Sequence, residues 1–321
     1  MFNNEEDNFI KVELNTTFYL GRQQVAEQFC DLLLRYDGIY LPEKWDNEQR
    51  AKLRRPFDPA SQHELIQEWT RPEEWKIIFF TRKRPPIEMS VDIKRFSHAK
   101  FNKFSAYIDE RHFKGGSSAQ KELLDFTIEM SLIARTDYGF IAHKRQERRQ
   151  SPVLTPAERL SGIYWANFFG RPYIEFFGRE KLLATPCYEV REISADLILL
   201  LTSDSLNAPE MLDNDEVVNQ IKAYLNQNAF AGPNFPDESC SVPKFNFGDV
   251  RWTTELPIEG TTDEKVARLR TDLETKGYKL IEEKDGRLVL RGADDSVIIV
   301  DTNRSEVSVD LTGRFLETFD E

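Results

Sequence analysis

Apolar and polar positions alternate along the first half of the chain in a way that predicts strands and helices in turn. KVELNTTFYL has β-favouring residues at partial alternation. In the following RQQVAEQFCDLLLRY, Val25, Phe29, Leu32, Leu33 and Tyr36 recur at helical spacing, so a strand feeding an amphipathic helix is expected. Gly38 to Arg71 is polar and proline-punctuated and predicts a long excursion with one short helix near Ser61 to Trp69. WKIIFFTRKR and IEMSVDIKRF flank Pro85-Pro86 and predict neighbouring strands. A helix is expected around Ala99 to Phe113. After Gly115-Gly116-Ser117-Ser118 another follows, burying Leu123, Leu124, Ile128, Leu132 and Ile133.

The second half opens with a basic segment, HKRQERRQ, and then an aromatic-dense stretch, SGIYWANFFGRPYIEFFGREKLLA. Gly170 and Pro172 interrupt any continuous helix there, so the stretch parses as a strand from Gly162 to Phe168, a turn at Gly170-Arg171, and a short helix ended by Gly178. CYEVREI and DLILLLTS predict two strands, and Val217, Val218, Ile221, Tyr224 and Leu225 predict a helix near Asp213 to Gln227. A strand, a helix, two strands and a helix thus occur twice between residues 9 and 230. The expected architecture is α/β (α+β), with a two-lobed body over residues 1–232, the lobes being about 9–115 and 116–232. Residues 233–258 read as a proline-rich linker packing on the body through Phe235, Phe245, Phe247 and Trp252. Residues 259–321 predict a small α+β domain: a helix carrying Val266, Leu269 and Leu273 on an antiparallel sheet of short strands.

Charge narrows the choice of partner. The net charge of -12 repels phosphate backbones on average, so general nucleic-acid binding is disfavoured and a basic protein partner suits the chain better. Arg82-Lys83-Arg84 is the local exception, a candidate contact or a solvated strand edge. Cys30, Cys187 and Cys240 form no C-x-x-C pair and His63, His98, His112 and His143 are dispersed, so neither a metal site nor a cofactor is expected. The acidic start MFNNEEDNF lacks the basic end and apolar run of a signal peptide, and no span reaches the length of a transmembrane helix. Cytoplasmic residence is the expectation, with no membrane association.

Asp92-Ile93-Lys94 places an acid and a lysine on one side of a strand, the pairing that metal-dependent nucleases use, without a second acid in a recognisable place. Within the aromatic stretch, Tyr164, Trp165 and Tyr173 are candidate protein contacts, since such residues are enriched at binding hot spots; packing in the core is the plainer reading.

GIYWANFFGRPYIEFFGREKLLATPCYEV, followed by ISADLILLLTSDSLNAPE and a terminal helix, resembles the back half of the cytoplasmic immunity proteins encoded beside bacterial polymorphic toxins. The family pattern is an aromatic strand and small-residue turn, a Leu-Leu-x-x-Pro segment, and a strand ending in Leu-Thr. Here these are Trp165, Gly170, Leu182, Leu183, Pro186, Leu201 and Thr202. The resemblance covers residues 9–230 by element order and does not include the unit after Gly260. It implies a non-enzymatic binder that occludes a toxin domain by surface complementarity. Two other readings stand beside it: a scaffold or adaptor subunit of a phage-defence or other multiprotein assembly, and an unrecognised metal-dependent nuclease using Asp92 and Lys94.

Overall fold

Alternation in the opening strand, β1 (Phe9–Thr16), turns Ile10, Val12 and Leu14 into one face of a sheet and leaves Lys11, Glu13 and Asn15 on the other. The structure is a computed structural model describing residues 8–36, 38, 40–47, 55–70, 75–80, 85–93, 101–113, 116–150, 156, 158–208, 215–231, 242–243, 245, 251–255, 267, 270–271, 273–275, 277–284, 287–291, 297–301 and 306–310. Following β1 are α1 (Gln23–Arg35), β2 (Lys44–Asn47), β3 (Arg55–Pro56), α2 (Gln62–Trp69), β4 (Trp75–Phe80), β5 (Ile87–Ile93) and β6 (Asn102–Asp109). The second half contributes α3 (Ser117–Ile133), β7 (Tyr138–His143), α4 (Lys144–Arg149), β8 (Ala166–Gly170), α5 (Arg171–Phe177), α6 (Arg179–Leu183), β9 (Glu189–Ser194), β10 (Leu197–Leu201) and α7 (Glu216–Leu225).

The first ten strands form one antiparallel sheet in the order β3-β2-β4-β5-β6-β1-β7-β8-β10-β9, which makes the class α+β. Both halves share this sheet, joined where β1 pairs with β7 from Ile10↔His143 to Asn15↔Tyr138. Two cores follow from the covering helices. Residues of α1, α2 and α3 pack on one face, against Val12, Phe79, Phe104 and Leu199 among others. On the opposite face α5, α6 and α7 cover β7, β8 and β10 through Tyr173, Phe177, Leu182, Val218 and Ile221. Strands β7, β8 and β10 are buried throughout, so their sequences YGFIAH, ANFFG and LILLL lose alternation and become almost continuously apolar.

Residues 102–109 correct the expected helix at Ala99 to Phe113. Phe104, Ala106 and Ile108 alternate with Lys103, Ser105 and Tyr107, and β6 pairs with β5 on one side and β1 on the other. A single 3-10 turn, Glu110–Phe113, is the helical part. Strand β7, ahead of the basic segment, and the all-polar α4 within it stand where no element is expected; His143 caps α4 by accepting the Arg145 N–H at Nδ1. The aromatic stretch does break into a strand and helix, but Gly170 is no conformational turn, since its φ of -81° suits any residue. An added Cβ at Gly170 would sit 2.0 Å from the Thr136 carbonyl oxygen. Glycine is needed there for close approach of two backbones. The positive φ belongs to Gly178, at +89° between α5 and α6.

Five further strands, β11 (Arg251–Glu255), β12 (Lys279–Lys284), β13 (Arg287–Arg291), β14 (Val297–Asp301) and β15 (Glu306–Asp310), form a second antiparallel sheet ordered β11-β15-β14-β13-β12. Helical residues 270–271 and 273–275 lie between β11 and β12, and Leu273 joins Leu288, Leu290, Ile298 and Val300 in a small core. Strand β11 falls inside the stretch read as linker. Phe245 packs on the body, 5.0 Å from the Phe101 ring and 5.8 Å from Tyr173, whereas Phe235 and Phe247 lie outside the described residues.

Gly170→Ala is expected to destabilise the body by roughly 1–3 kcal/mol, because the methyl meets backbone and not a movable side-chain end. Urea unfolding of the two proteins measures it.

Candidate functional site

Tyr164, Trp165 and Tyr173 lie in the interior, at 0%, 3% and 1% exposure. The Tyr164 ring stacks on Phe140 at 4.2 Å and its hydroxyl meets Ser161 Oγ at 2.8 Å. Trp165 donates its indole N–H to the Ser203 carbonyl and Tyr173 its hydroxyl to that of Pro156. Their polar ends are satisfied internally, so these rings frame the sheet and offer a partner no accessible face. Arg82, Lys83, Arg84 and Lys94 lie outside the described residues. Asp92 faces Lys103 of the neighbouring strand, 3.8 Å from its Nζ. Among the described residues no group of three His, Cys, Asp or Glu side chains could hold a metal ion, and no helix is long and apolar enough to cross a membrane.

One titratable cluster is a closed network. Lys11 Nζ lies 2.6 Å from Glu147 Oε1 and 3.0 Å from Glu13 Oε2, and Lys144 also donates to Glu147. Burial favours the neutral lysine, but Glu13 and Glu147 outweigh it and hold the ammonium above its ordinary range. Burial likewise opposes ionisation of Glu147, and Lys11 and Lys144 overcome it. Each charge has its counter-charge, so the cluster pins α4 to β1.

The other polar cluster is open. A cavity of about 400 Å³ lies where the end of β1, the C-terminus of α3 and the β9–β10 turn meet, lined by Thr17, Phe18, Ser131, Arg135, Thr136 and Asp137 among others. Helix α3 stops without a glycine. Thr136 N–H bonds to the Ser131 carbonyl at 3.0 Å and Arg135 N–H to that of Leu132 at 3.3 Å, the pattern of a Schellman turn. That turn requires a left-handed residue, and Arg135 supplies it at φ +46°, the one non-glycine positive φ among the described residues. Such a conformation costs a side-chain-bearing residue about 1–2 kcal/mol. The Arg135 guanidinium then sits 4.3 Å from the Phe18 ring centroid, and that of Arg22 lies 4.6 Å from the same ring.

Asp137 connects three strands. Its N–H donates to Asn15 at 2.9 Å, its carbonyl accepts from Gly170 N–H at 2.8 Å, and its carboxylate accepts from Thr17 N–H at 2.5 Å. Burial pushes this carboxyl up to about 6, against the opposing pull of Thr17. Beside it, Ser131 Oγ and Thr136 Oγ1 are buried, at 1% and 3% exposure, with no hydrogen-bond partner among the described residues. A strained arginine, a desolvated carboxyl and two unpaired hydroxyls thus gather at one cavity. Local costs of this kind occur at functional sites and also in structural networks, and they make this cavity the candidate site.

Beside the cavity the surface carries exposed leucines among polar and charged side chains. Leu132 is 46% exposed and Leu34 36%, and Leu34 and Ile133 line a second, shallower depression with Gln28, Asp31 and Arg35. Nothing in the local sequence pattern singles out Ser131, Thr136 or Asp137. The available signal is Ala-Arg-Thr-Asp ending a 17-residue helix where glycine is usual.

No protein-family model matches the chain, and no curated protein does. Among solved structures it is similar to a Pseudomonas aeruginosa T6SS protein, PA0821, at 11% identity and a TM-score of 0.45, over 66% of this chain and 72% of that one.

Two outcomes test the site's energetics. Arg135→Gly and Arg135→Ala both lose the contact with Phe18, but only glycine relaxes the backbone, so the glycine variant should be the more stable by about 1 kcal/mol in urea unfolding. For Asp137, the native carboxyl holds its proton more tightly than the unfolded chain does. Its contribution is therefore intact below about pH 4 and falls by about 3 kcal/mol as pH rises through 6. Asp137→Asn should remove that component, read as the difference between the two stability–pH profiles.

Proposed function

We propose that the protein is a non-enzymatic protein-binding factor, an immunity-like inhibitor that sequesters a toxin or effector domain through the face built by α1, the end of α3 and the 134–137 turn. The observation that carries the reading is Leu132, a large apolar side chain nearly half exposed on a rigid helix between two depressions. Aromatic and arginine groups beside it, Phe18, Arg22 and Arg135, are of the types that dominate binding energy at interfaces. The net charge of -12 favours a partner that surrounds an apolar centre with basic residues, through faster encounter and rejection of acidic competitors. Cytoplasmic residence belongs to the same reading, since the factor would meet its target where both are made.

A scaffold or adaptor role is the second reading, favoured by Ile281, 46% exposed on β12 at the edge of the C-terminal sheet, where a partner strand could add. Removing residues 251–321, which takes away all five strands of the second sheet, separates the two, because an inhibitor acting through α1 and α3 keeps its activity and an adaptor loses it.

In cells expressing a toxin encoded beside the gene, growth should be rescued by the wild-type chain and by Leu183→Glu, a control on α6. Leu132→Glu should fail to rescue and should bind at least about 30-fold more weakly, at an unchanged melting temperature. Absence of rescue by the wild-type chain would contradict the proposal.

A further inference from the structure

Resting on the protein-binding reading, we infer that the seam between α1 and α3 takes one basic amphipathic helix of the partner. The two helices run in opposite directions along this seam. Gln28, Asp31, Leu34 and Arg35 of α1 share a depression of about 640 Å³ with Ile133 at the end of α3. One turn back on α3, Glu129 bonds Arg35 at 2.7 Å and accepts the Tyr36 hydroxyl at 2.9 Å. Glu122 lies farther back, where a Cβ added to Gly38 would meet its carboxylate at 3.3 Å. From Glu122 to Ile133 the seam is about 16 Å long, at 1.5 Å per helical residue, the length of a helix of about three turns.

Along this length the seam is apolar at one end and acidic elsewhere. Leu34 is 36% exposed and Ile133 half-buried, and Leu132 extends the apolar end. On α3, Glu122, Asp125, Glu129 and Ile133 recur at i, i+3, i+7 and i+11, so they form one stripe. The bases beside them are already matched, Arg35 by Glu129 and Lys121 by Asp125 at 3.0 Å. Asp31 and Glu122 have no ion pair among the described residues, which leaves an uncompensated acid at each end. An apolar row flanked by lysines and arginines answers both features. A partner strand would bring backbone N–H and C=O groups that two helix surfaces cannot pair, whereas a helix satisfies its own and presents only side chains. A second copy of this face would set Asp31 and Glu122 against like charges, so the charge that attracts a basic helix rejects self-association.

The test titrates the full chain with a synthetic peptide of about fourteen residues, stapled as a helix and carrying a leucine row flanked by arginines and lysines. Backbone amide resonances of residues 28–35 and 122–133 are followed. The comparators are the same peptide with glutamate in place of each base and a scrambled peptide of equal composition. Saturable shifts at those residues are expected with the basic helix, at an affinity about tenfold or more above both comparators and falling as salt rises. Asp31→Lys combined with Glu122→Lys should weaken binding about tenfold at an unchanged melting temperature, and Leu34→Glu by as much. Glu175→Lys, a charge reversal at an exposed position of α5 across the sheet, should leave it unchanged. No shift with the basic helix, equal affinity for either comparator, wild-type affinity in the double reversal, or a dimer of the chain that Leu34→Glu dissociates would overturn the inference. Failure here with growth rescue intact removes the helix and leaves the docking face; failure of rescue with basic-helix binding intact does the reverse.

Discussion

The hydrogen bonds of Asp137 hold the two halves of the body in register. Its N–H reaches β1, its carbonyl takes the Gly170 N–H at the end of β8, and its side chain caps the chain leaving β1 at Thr17. With those bonds in place β7 is fixed between β1 and β8, and ten strands become one sheet. Without a side chain at Gly170 the two backbones can approach closely enough for this to happen. A carboxylate buried for that purpose sits well above its ordinary range, so the joint carries an electrostatic cost that packing on both sides must offset.

Buried polar atoms are paired in some parts of the body and left without a partner in others. The Lys11, Glu13, Glu147 and Lys144 network is paired, and Trp165 and Tyr173 find internal acceptors, whereas Tyr40 Oη, Trp45 Nε1, Asn47 Oδ1 and Gln146 Nε2 are buried without a partner among the described residues. Only at the α3–β7 turn do a left-handed arginine, unpaired hydroxyls and a desolvated acid coincide, next to exposed leucines. A frame that is rigid around such a place is what a binding site requires, since rigid donors and acceptors lose little entropy when a partner arrives.

How much of this could be read from the sequence depends on the range of the forces involved. Helices α1 and α3 and the β9–β10 hairpin rest on local periodicity and were legible from Val25, Phe29, Leu123, Leu124 and the Leu197–Leu201 run. Strand β6 was misread because Phe101, Phe104 and Ile108 fall at helical spacing by coincidence, while its true partners are β1 and β5, distant in sequence. Six residues buried on both faces left β7 without alternation to reveal it. The aromatic stretch announced a core correctly, yet its glycine serves close approach and not a turn. The candidate site was illegible for the same reason as β7: Asp137 acquires its role from Thr17, 120 residues away. No local pattern encodes that contact.

The proposed docking face lies beside the turn where a left-handed arginine, unpaired hydroxyls and a desolvated acid meet. Amide hydrogen exchange of the full chain, alone and with a toxin or effector domain found to bind it, decides whether the partner docks there. The account predicts slowed exchange at residues 17–22, 131–137 and 194–197, with the polar face of β5 and β6 unchanged. Slowing confined to the C-terminal sheet or to that polar face, with residues 131–137 unaffected, would contradict it.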